Sequence, residues 1–340
     1  MTTTADPRRA AIERWIGPAT GHTGWILAPA SEDASFRRYF RATLPNGRSV
    51  IVMDAPPERE DTGPFIRVAG LLREAGLTSP EILAADAAQG FLLLTDLGRE
   101  TYLQAIRSAR LSDTDIDHLY AEALDALVRW QLASRPGVLP PYDEALLRRE
   151  MALFPEWYVG RHLDGRLDAT QQTTLAGIEN TLVQSALSQG MVYVHRDYMP
   201  RNLMLCPQGP GILDFQDAVW GPVTYDLASL MRDAFLTWEE DRVLDWCARY
   251  WDKARRASLP VDTDFAEFYR AFEWMGLQRH LKVLGIFARI RYRDGKPHYL
   301  EDAPRFLGYC RAVAKRYRAV SPLLPLLDDL EARDSRVAGG

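Results

Sequence analysis

The sequence predicts an α+β fold with two lobes, a small antiparallel-sheet lobe followed by a larger, mostly helical lobe. Strand-like runs are concentrated in the first hundred residues, and helical spacing dominates after Gly98. A chain of 340 residues with 47% hydrophobic content can also bury two cores. We predict the boundary after Leu97, which gives an N-terminal lobe of residues 1–97 and a C-terminal lobe of residues 98–340.

In the first lobe, Asp6 is a predicted N-cap, and Pro7 suits the first position of a helix over residues 7–16. Asn46-Gly47 predicts a hairpin turn, because both residues tolerate positive φ. Gly76 is placed to close another helix in the left-handed conformation. The remaining predicted elements are strands at 35–44 and 48–53, a helix at 64–75, and short strands at 82–84 and 91–95.

In the second lobe, acidic residues in the opening turn predict a helix over residues 112–132. A short strand at residues 192–194 leads into a loop that begins at His195. The other predicted elements are helices at 142–159 and 169–188, a hairpin of 203–205 with 212–213, and a mostly helical region from 225 to about 330.

Bulk composition excludes several classes of protein. A net charge of −5 argues against a nucleic-acid binder, which usually carries a basic face. Three scattered cysteines predict neither a disulfide framework nor a zinc site. No apolar run approaches the ~20 residues of a membrane span, and no secretory signal is evident. We therefore expect a soluble cytoplasmic protein without nucleic-acid, membrane or obligate protein partners.

The most informative segment runs from His195 to Asn202 and continues to Asp214. It has the order H-x-D-x-x-x-x-N followed by an Asp on the next strand, which kinase-like phosphotransferases use. In this order Asp197 orients and deprotonates an acceptor hydroxyl. Asn202 and Asp214 hold divalent metal, because Mg²⁺ accepts one or two protein oxygens together with nucleotide phosphates.

Each of these residues also has a structural interpretation. A single loop Asp or Asn is usually a turn former or a helix cap, and His195 is more often a residue that organises its loop than a base. Order, spacing and flanking strands all agree with phosphoryl transfer. The pattern as a whole therefore favours a phosphotransferase.

The segment from Val194 to Asp233 resembles the aminoglycoside phosphotransferase/choline kinase superfamily, with Asp214-Phe215-Gln216 and Tyr225-Asp226-Leu227-Ala228 at the matching places. Within it, the chain is most similar to sugar kinases of cell-wall recycling that phosphorylate N-acetylmuramate and N-acetylglucosamine at the anomeric hydroxyl. This likeness covers most of the chain and includes SFRRYFR, VIVMDAPPE, FLLLTDLG, LDFQDAVWGPVTYDL and FEWMGLQRHLKVLGIFARI. The resemblance implies a protein-kinase-like fold, Mg²⁺, ATP or GTP as donor, and a role for Asp226 and His195 in bracing the loop.

The nucleotide side departs from the kinase pattern. No G-x-G-x-x-G or Walker sequence occurs, and Val50-Ile51-Val52-Met53-Asp54 lacks the Lys that usually grips phosphate. Arg38 or Arg41 is the expected substitute, while an ordinary basic edge strand is the alternative for Arg37, Arg38 and Arg41. The segment up to Leu97 resembles the inter-lobe hinge. The predicted nucleotide-binding residues are Ser35, Phe36, Arg37, Arg38, Arg41, Thr95, Asp96 and Leu97.

On the acceptor side, Asp217 is a candidate for a sugar hydroxyl or simply a turn residue. Trp220 offers an apolar face to a pyranose, although tryptophans are more often core residues. Arg279 belongs to a basic run that continues through Arg293 and either attracts an acidic acceptor or is a solvated helix face, the interpretation we favour. Other hydroxyl acceptors (aminoglycoside, choline or homoserine) and a non-catalytic, nucleotide-binding regulator stay open as alternatives.

Overall fold

The computed structural model describes residues 6–31 and 36–338. The chain forms two compact units. The first comprises Met1–Arg129 and Arg201–Asp217, and the second comprises Trp130–Pro200 and Ala218–Gly340. The predicted nucleotide-binding lobe of residues 1–97 lies within the first unit. The lobe boundary after Leu97 stays a prediction.

The first unit contains a five-stranded antiparallel sheet in the order β1-β2-β3-β5-β4. This confirms the predicted antiparallel sheet at the N-terminus. Strand β1 was not predicted, because Pro29 interrupts its pattern and proline is tolerated in sheets mainly at an edge, where β1 lies. The strands are β1 (Ile26–Ser31), β2 (Arg38–Thr43), β3 (Ser49–Asp54), β4 (Ile82–Asp86) and β5 (Phe91–Thr95).

One face of this sheet is covered by helix α1 (Pro7–Thr20). The helix begins as predicted, since the Asp6 carboxylate accepts hydrogen bonds from the N–H groups of Arg8 and Arg9. Ile12 and Ile16 of α1 pack against side chains of the even-numbered positions of β2 and β3. The odd-numbered positions of these strands therefore face the opposite side, because successive side chains of a strand alternate.

The rest of the first unit consists of three helices and a small hairpin. The Leu205 N–H donates to the Glu100 carbonyl at 2.9 Å, and the Ile212 N–H donates to the Thr78 carbonyl at 2.8 Å, so main-chain bonds anchor the hairpin from both sides. The elements are α2 (Gly63–Glu74), α3 (Tyr102–Arg107), α4 (Asp113–Leu132, whose last residues enter the second unit), β7 (Leu203–Met204) and β8 (Gly211–Ile212).

The second unit is mostly helical, as predicted. Its long central helix α9 is buried over much of its length and packs against most of the other helices. A two-stranded antiparallel ladder joins β6 (Met191–Val194) to the unpredicted β9 (Val219–Pro222). The helices are α5 (Glu144–Met151), α6 (Ala169–Ser188), α7 (Tyr225–Met231), α8 (Glu240–Arg256), α9 (Phe265–Asp294), α10 (Ala303–Arg316) and α11 (Leu323–Ala338).

The single helix predicted over residues 142–159 is wrong. Helix α5 ends at Met151, and the chain continues as a π-helix over Phe154–His162. Pro155 explains the break, because proline lacks an N–H donor and clashes with the preceding turn. The backbone of this segment packs directly against Gly285 of α9. A Cβ at position 285 would lie 2.3 Å from the Leu153 carbonyl carbon, so a side chain would clash there.

None of the helices in residues 6–31 and 36–338 combines the length and apolarity needed to cross a bilayer.

Candidate active site

The HRD loop, defined here as His195, Arg196 and Asp197, follows β6 in the second unit. Its main chain is held by Asp226, which is completely buried in the first turn of α7. The two carboxylate oxygens of Asp226 accept hydrogen bonds from the N–H groups of His195 at 2.6 Å and Arg196 at 2.9 Å. The carboxylate thus fixes two successive peptide groups immediately before Asp197.

Burial raises the pKa of Asp226 to about 6, although its hydrogen bonds and the nearby His195 and Arg279 oppose that shift. The backbone it holds is unusual, since Arg196 has φ of 78°. Positive φ is uncommon for a residue with a side chain and persists only where the surroundings impose it. The Asp197 N–H then donates to Nδ1 of His195 at 3.2 Å.

The side chain of Arg196 is held by Glu150, a buried carboxylate of α5. Glu150 also accepts from Lys282 Nζ at 2.9 Å, and it forms a short hydrogen bond with the Tyr142 hydroxyl. Lys282 reaches the Tyr225 hydroxyl at 3.1 Å. Burial alone would raise the pKa of Glu150, but Lys282 and Arg196 outweigh it and lower the pKa to about 2. Glu150 is therefore an ionised anchor behind the HRD loop.

The two predicted metal ligands lie together in the first unit. Asn202 ends a short 3₁₀ turn before β7, and Asp214 follows β8, so the hairpin brings them side by side. The Leu213 N–H donates to the Asn202 carbonyl at 2.9 Å. Asp214 has φ of 59°, and its Oδ1 accepts from Gln216 Nε2 at 3.0 Å.

These residues suit Mg²⁺. An amide oxygen and a carboxylate on neighbouring strand ends are hard oxygen donors, and Mg²⁺ is usually bound through one or two such groups plus phosphates. Among the described residues, no group of three or more His, Cys, Asp or Glu is arranged as a metal cage. The donor set therefore fits a metal that depends on nucleotide oxygens to complete its coordination.

Asn202 and Asp214 line a cavity of about 280 Å³ that lies entirely within the first unit. Its volume is close to the lower end of small-molecule sites. Apolar walls come from the sheet, with Ile51 of β3 and Leu94 of β5, and from Leu97 just beyond it. The cavity extends from the predicted metal ligands to the predicted hinge, where Thr95 and Asp96 also line it.

Arg41 lines the cavity at its hinge end. Its guanidinium pairs with Asp96 at 2.6 Å and donates to the Gly98 carbonyl at 2.5 Å. Burial would raise the pKa of Asp96, but Arg41 together with other hydrogen bonds lowers it. Arg41 is thus hydrogen-bonded to the segment that resembles the hinge.

Arg38 does not fit its predicted role in nucleotide binding. As an even-numbered residue of β2 it lies on the sheet face covered by α1. There its guanidinium bonds Asp54 and Asp6, each at 2.5 Å. Phe36 is largely exposed, with the Arg59 guanidinium over its ring. Ser35 lies outside the described residues.

The predicted acceptor residues occupy different environments. Asp217 is exposed at the end of the first unit and contacts the Gln216 amide at 3.4 Å. Trp220 lies in β9, where its ring meets Tyr193 edge-on at 6.3 Å. Arg279 of α9 is buried, with its guanidinium 5.2 Å from the Tyr225 ring centroid. Their roles in acceptor binding stay predictions.

The favoured interpretation of the basic run as a solvated helix face is wrong for its first half. Arg279, His280 and Lys282 are buried, whereas Arg291 and Arg293 are exposed. The reason is that α9 is the central helix of its unit, so even charged side chains on it meet other elements. Burial lowers the pKa of His280 well below its usual range, and Arg279 adds to the effect.

Sequence reasoning missed two residues, Tyr39 and Glu150. Tyr39 lines the cavity, and its alternation with Arg41 along β2 is a signal that identifies it. Glu150 was missed because it contacts the HRD loop from a helix 46 residues earlier, and nothing in the local pattern of α5 indicates that pairing.

A comparison with protein families identifies the class of protein. Residues 26–259 match the model of the phosphotransferase enzyme family, and the chain belongs to that family. Two curated relatives share the name N-acetylmuramate/N-acetylglucosamine kinase. The protein from Pseudomonas aeruginosa is 53% identical over 304 residues, covering 89% of this chain and 88% of the relative. The protein from Neisseria meningitidis serogroup B is 48% identical over 323 residues, covering 95% and 96%.

Solved structures share the fold at low sequence identity. The ADP-bound aminoglycoside phosphotransferase APH(2'')-Ib has a TM-score of 0.58 and 14% identity, over 89% of this chain and 98% of that one. The choline kinase LicA from Streptococcus pneumoniae has a TM-score of 0.59 and 14% identity, over 90% and 100%. The predicted protein-kinase-like α+β fold is therefore confirmed.

Proposed function

We propose that the protein is a Mg²⁺-dependent kinase that transfers the γ-phosphoryl group of ATP to the anomeric hydroxyl of N-acetylmuramate and N-acetylglucosamine. The observation that carries the proposal is the 53% identity, over most of both chains, to a kinase named for these two sugars. Phosphorylation of such sugars belongs to peptidoglycan recycling. A nucleotide triphosphate donor is consistent with a cytoplasmic location.

In the proposed reaction the C1 oxygen of the sugar attacks the γ-phosphorus. An O–P bond forms, the bond from the γ-phosphorus to the bridging oxygen breaks, and ADP leaves. Asp197 orients the hydroxyl and accepts its proton. Asn202 and Asp214 would hold Mg²⁺, which when bound offsets charge on the phosphates.

The other site residues support these roles. Asp226 holds the two peptides before Asp197, so the position of the base depends on a buried carboxylate rather than on substrate. Thr95, Asp96 and Leu97 line the end of the cavity suited to the base of the nucleotide, where main-chain groups would read it. We assign Arg41 to the same end.

The test is a phosphorylation assay of the purified protein, followed by ³¹P NMR, with ATP or GTP and Mg²⁺. The acceptor panel contains N-acetylmuramate, N-acetylglucosamine, the methyl glycoside of N-acetylglucosamine, choline, homoserine and an aminoglycoside. We expect ADP formation and a C1 phosphate with the two free sugars only. The methyl glycoside should be inert because its C1 oxygen carries no proton.

Phosphorylation of the methyl glycoside would show that another hydroxyl is the acceptor. Turnover only with choline, homoserine or the aminoglycoside would replace the proposed substrate class. Nucleotide binding without turnover on any acceptor would favour the regulatory alternative.

A further inference from the structure

The first unit has no lysine with which to bind phosphate. The four lysines of the chain are Lys253, Lys282, Lys296 and Lys315, and all belong to the second unit. A nucleotide triphosphate carries several negative charges, so a site for it needs a cation close to the metal ligands. Within the first unit that cation has to be an arginine.

Strand β3, which carries this lysine in other kinases, has no cationic side chain on its cavity side. The odd-numbered positions of β3 face away from α1, and Ile51 among them lines the cavity. Met53 points to the same side and is buried. Neither side chain can neutralise phosphate.

Two arginines of β2 are already committed elsewhere. Arg38 lies on the α1 face and is hydrogen-bonded to Asp54 and Asp6. Arg41 lies at the hinge end of the cavity, bound to Asp96 and to the Gly98 carbonyl.

Arg37 occupies a different position. It lies one residue before β2, and its guanidinium nitrogen is 3.9 Å from Oδ1 of Asp214. Only 11% of the Arg37 side chain is exposed, against 32% for Asp214. This separation allows electrostatic attraction but is too long for a hydrogen bond. The arginine therefore holds its positive charge beside the metal ligand.

We propose that Arg37 is the phosphate-binding cation of this kinase and replaces the missing strand lysine. The inference rests on the proposed function in that it takes the ligand to be a nucleotide di- or triphosphate. Phosphates that reach a metal on Asn202 and Asp214 pass within range of Arg37. The planar guanidinium can then donate two parallel hydrogen bonds to one phosphate, which an ammonium group cannot do.

The test is calorimetric binding of adenosine, ADP and a non-hydrolysable ATP analogue, with and without Mg²⁺. For Arg37→Gln we expect affinity for ADP and the ATP analogue to fall by about 10- to 100-fold, the range of a charge-assisted hydrogen bond. Affinity for adenosine should change by less than about twofold. Arg37→Lys should recover part of the loss, because the charge returns without the fork.

The matched control is Arg48→Gln. Arg48 is exposed at the turn between β2 and β3, so its loss should leave all three affinities unchanged. Thermal unfolding of each variant checks that the fold is intact.

Three results would overturn the proposal. One is an equal loss of affinity for adenosine and the ATP analogue in Arg37→Gln. A second is tighter Mg²⁺ binding with unchanged nucleotide affinity, which would make Arg37 only a counter-ion of Asp214. The third is selective phosphate loss in Arg201→Gln but not in Arg37→Gln, because Arg201 also lines the cavity.

Failure of the proposed function has a different signature. If Arg37→Gln shows the selective loss while wild-type protein phosphorylates none of the acceptors, the phosphate site stands and the kinase assignment falls.

Discussion

Glu150 in the second unit and Asp214 in the first each face an arginine, but they do so in different ways. Glu150 is almost completely buried, is bonded by Arg196 and Lys282, and has its pKa lowered to about 2. Asp214 has a third of its side chain exposed and its arginine lies 3.9 Å away. Separating a buried, bonded pair leaves an uncompensated charge, whereas a partly exposed carboxylate can accept a ligand from solvent. We infer that Glu150 is a fixed support and that Asp214 is a ligand position.

The largest expected effect comes from Asp197, the proposed base, which lies in the second unit. Asp197→Asn should lower kcat by about 10²- to 10⁴-fold, the usual contribution of a general base. Nucleotide affinity should stay within about twofold, because the nucleotide cavity belongs to the first unit. Steady-state kinetics and calorimetry measure the two quantities.

The control is Asp241→Asn, which removes an exposed carboxylate in the first turn of α8 and should keep wild-type turnover. Turnover near the wild-type rate in Asp197→Asn would remove that residue from the chemistry.

Glu150→Gln tests whether the second unit depends on its buried anchor. The change keeps the shape of the side chain but leaves the half-buried Arg196 and the buried Lys282 without their carboxylate. We expect the free energy of unfolding to fall by about 3–5 kcal/mol. Urea denaturation at neutral pH measures this.

Glu144→Gln on the same helix is the matched control. Glu144 forms an exposed i,i+4 pair with Arg148, which is worth only about 0.3–0.5 kcal/mol. Similar losses in the two variants would mean that burial does not distinguish Glu150.

A third prediction concerns pH and Asp226. Its pKa is raised to about 6 in the folded protein, against an ordinary value of 3.8. The folded state therefore binds this proton more tightly than the unfolded state, and the contribution of Asp226 to stability falls as pH rises from about 4 to 6. The change is at most about 3 kcal/mol, at 1.36 kcal/mol per pH unit.

The measurement is urea denaturation of wild type and Asp226→Asn across that pH range. The stability difference between the two proteins should shift in favour of the variant as pH rises. A difference that does not vary with pH would contradict a raised pKa for Asp226.

The smallest effect is expected at the hinge end of the nucleotide cavity. Asp96→Asn should weaken adenosine and ATP by the same factor, about three- to tenfold, since the pair with Arg41 supports the base end of the cavity. Equal losses for the two ligands would contrast with the phosphate-selective loss expected for Arg37→Gln. A loss confined to ATP would move Arg41 to the phosphate end.

The elements that could be predicted from the sequence are those that depend on local interactions. The Asp6 cap, the β2–β3 hairpin and helix α6 all follow from residues within a few positions of each other, and each was predicted. Strand β9 was missed because its four residues, Val-Trp-Gly-Pro, have no alternating pattern and depend on pairing with β6. The break after α5 was missed because apolar spacing continues past Pro155.

The candidate site also contains residues that local sequence predicts and residues whose positions depend on distant contacts. The motif spacing predicted roles for Asp197, Asn202 and Asp214, and the hairpin brings the last two together. The different fates of Arg37, Arg38 and Arg41 could not be read from their sequence. Arg38 and Arg41 lie on opposite faces of β2, so only Arg41 lines the cavity. Arg37 lies near Asp214, which is 177 positions later in the chain.

The absence of lysine from the first 252 residues has a practical consequence for chemical labelling. Acyl-phosphate derivatives of ATP tag kinases by acylating a lysine amine beside the phosphates. Arginine stays protonated at any ordinary pH and is a poor nucleophile, so it will not take the acyl group. Labelling with such reagents should therefore yield no acylated lysine in the first unit of this protein. Dicarbonyl reagents react with guanidinium groups and can modify Arg37. Bound nucleotide should protect Arg37 from that modification.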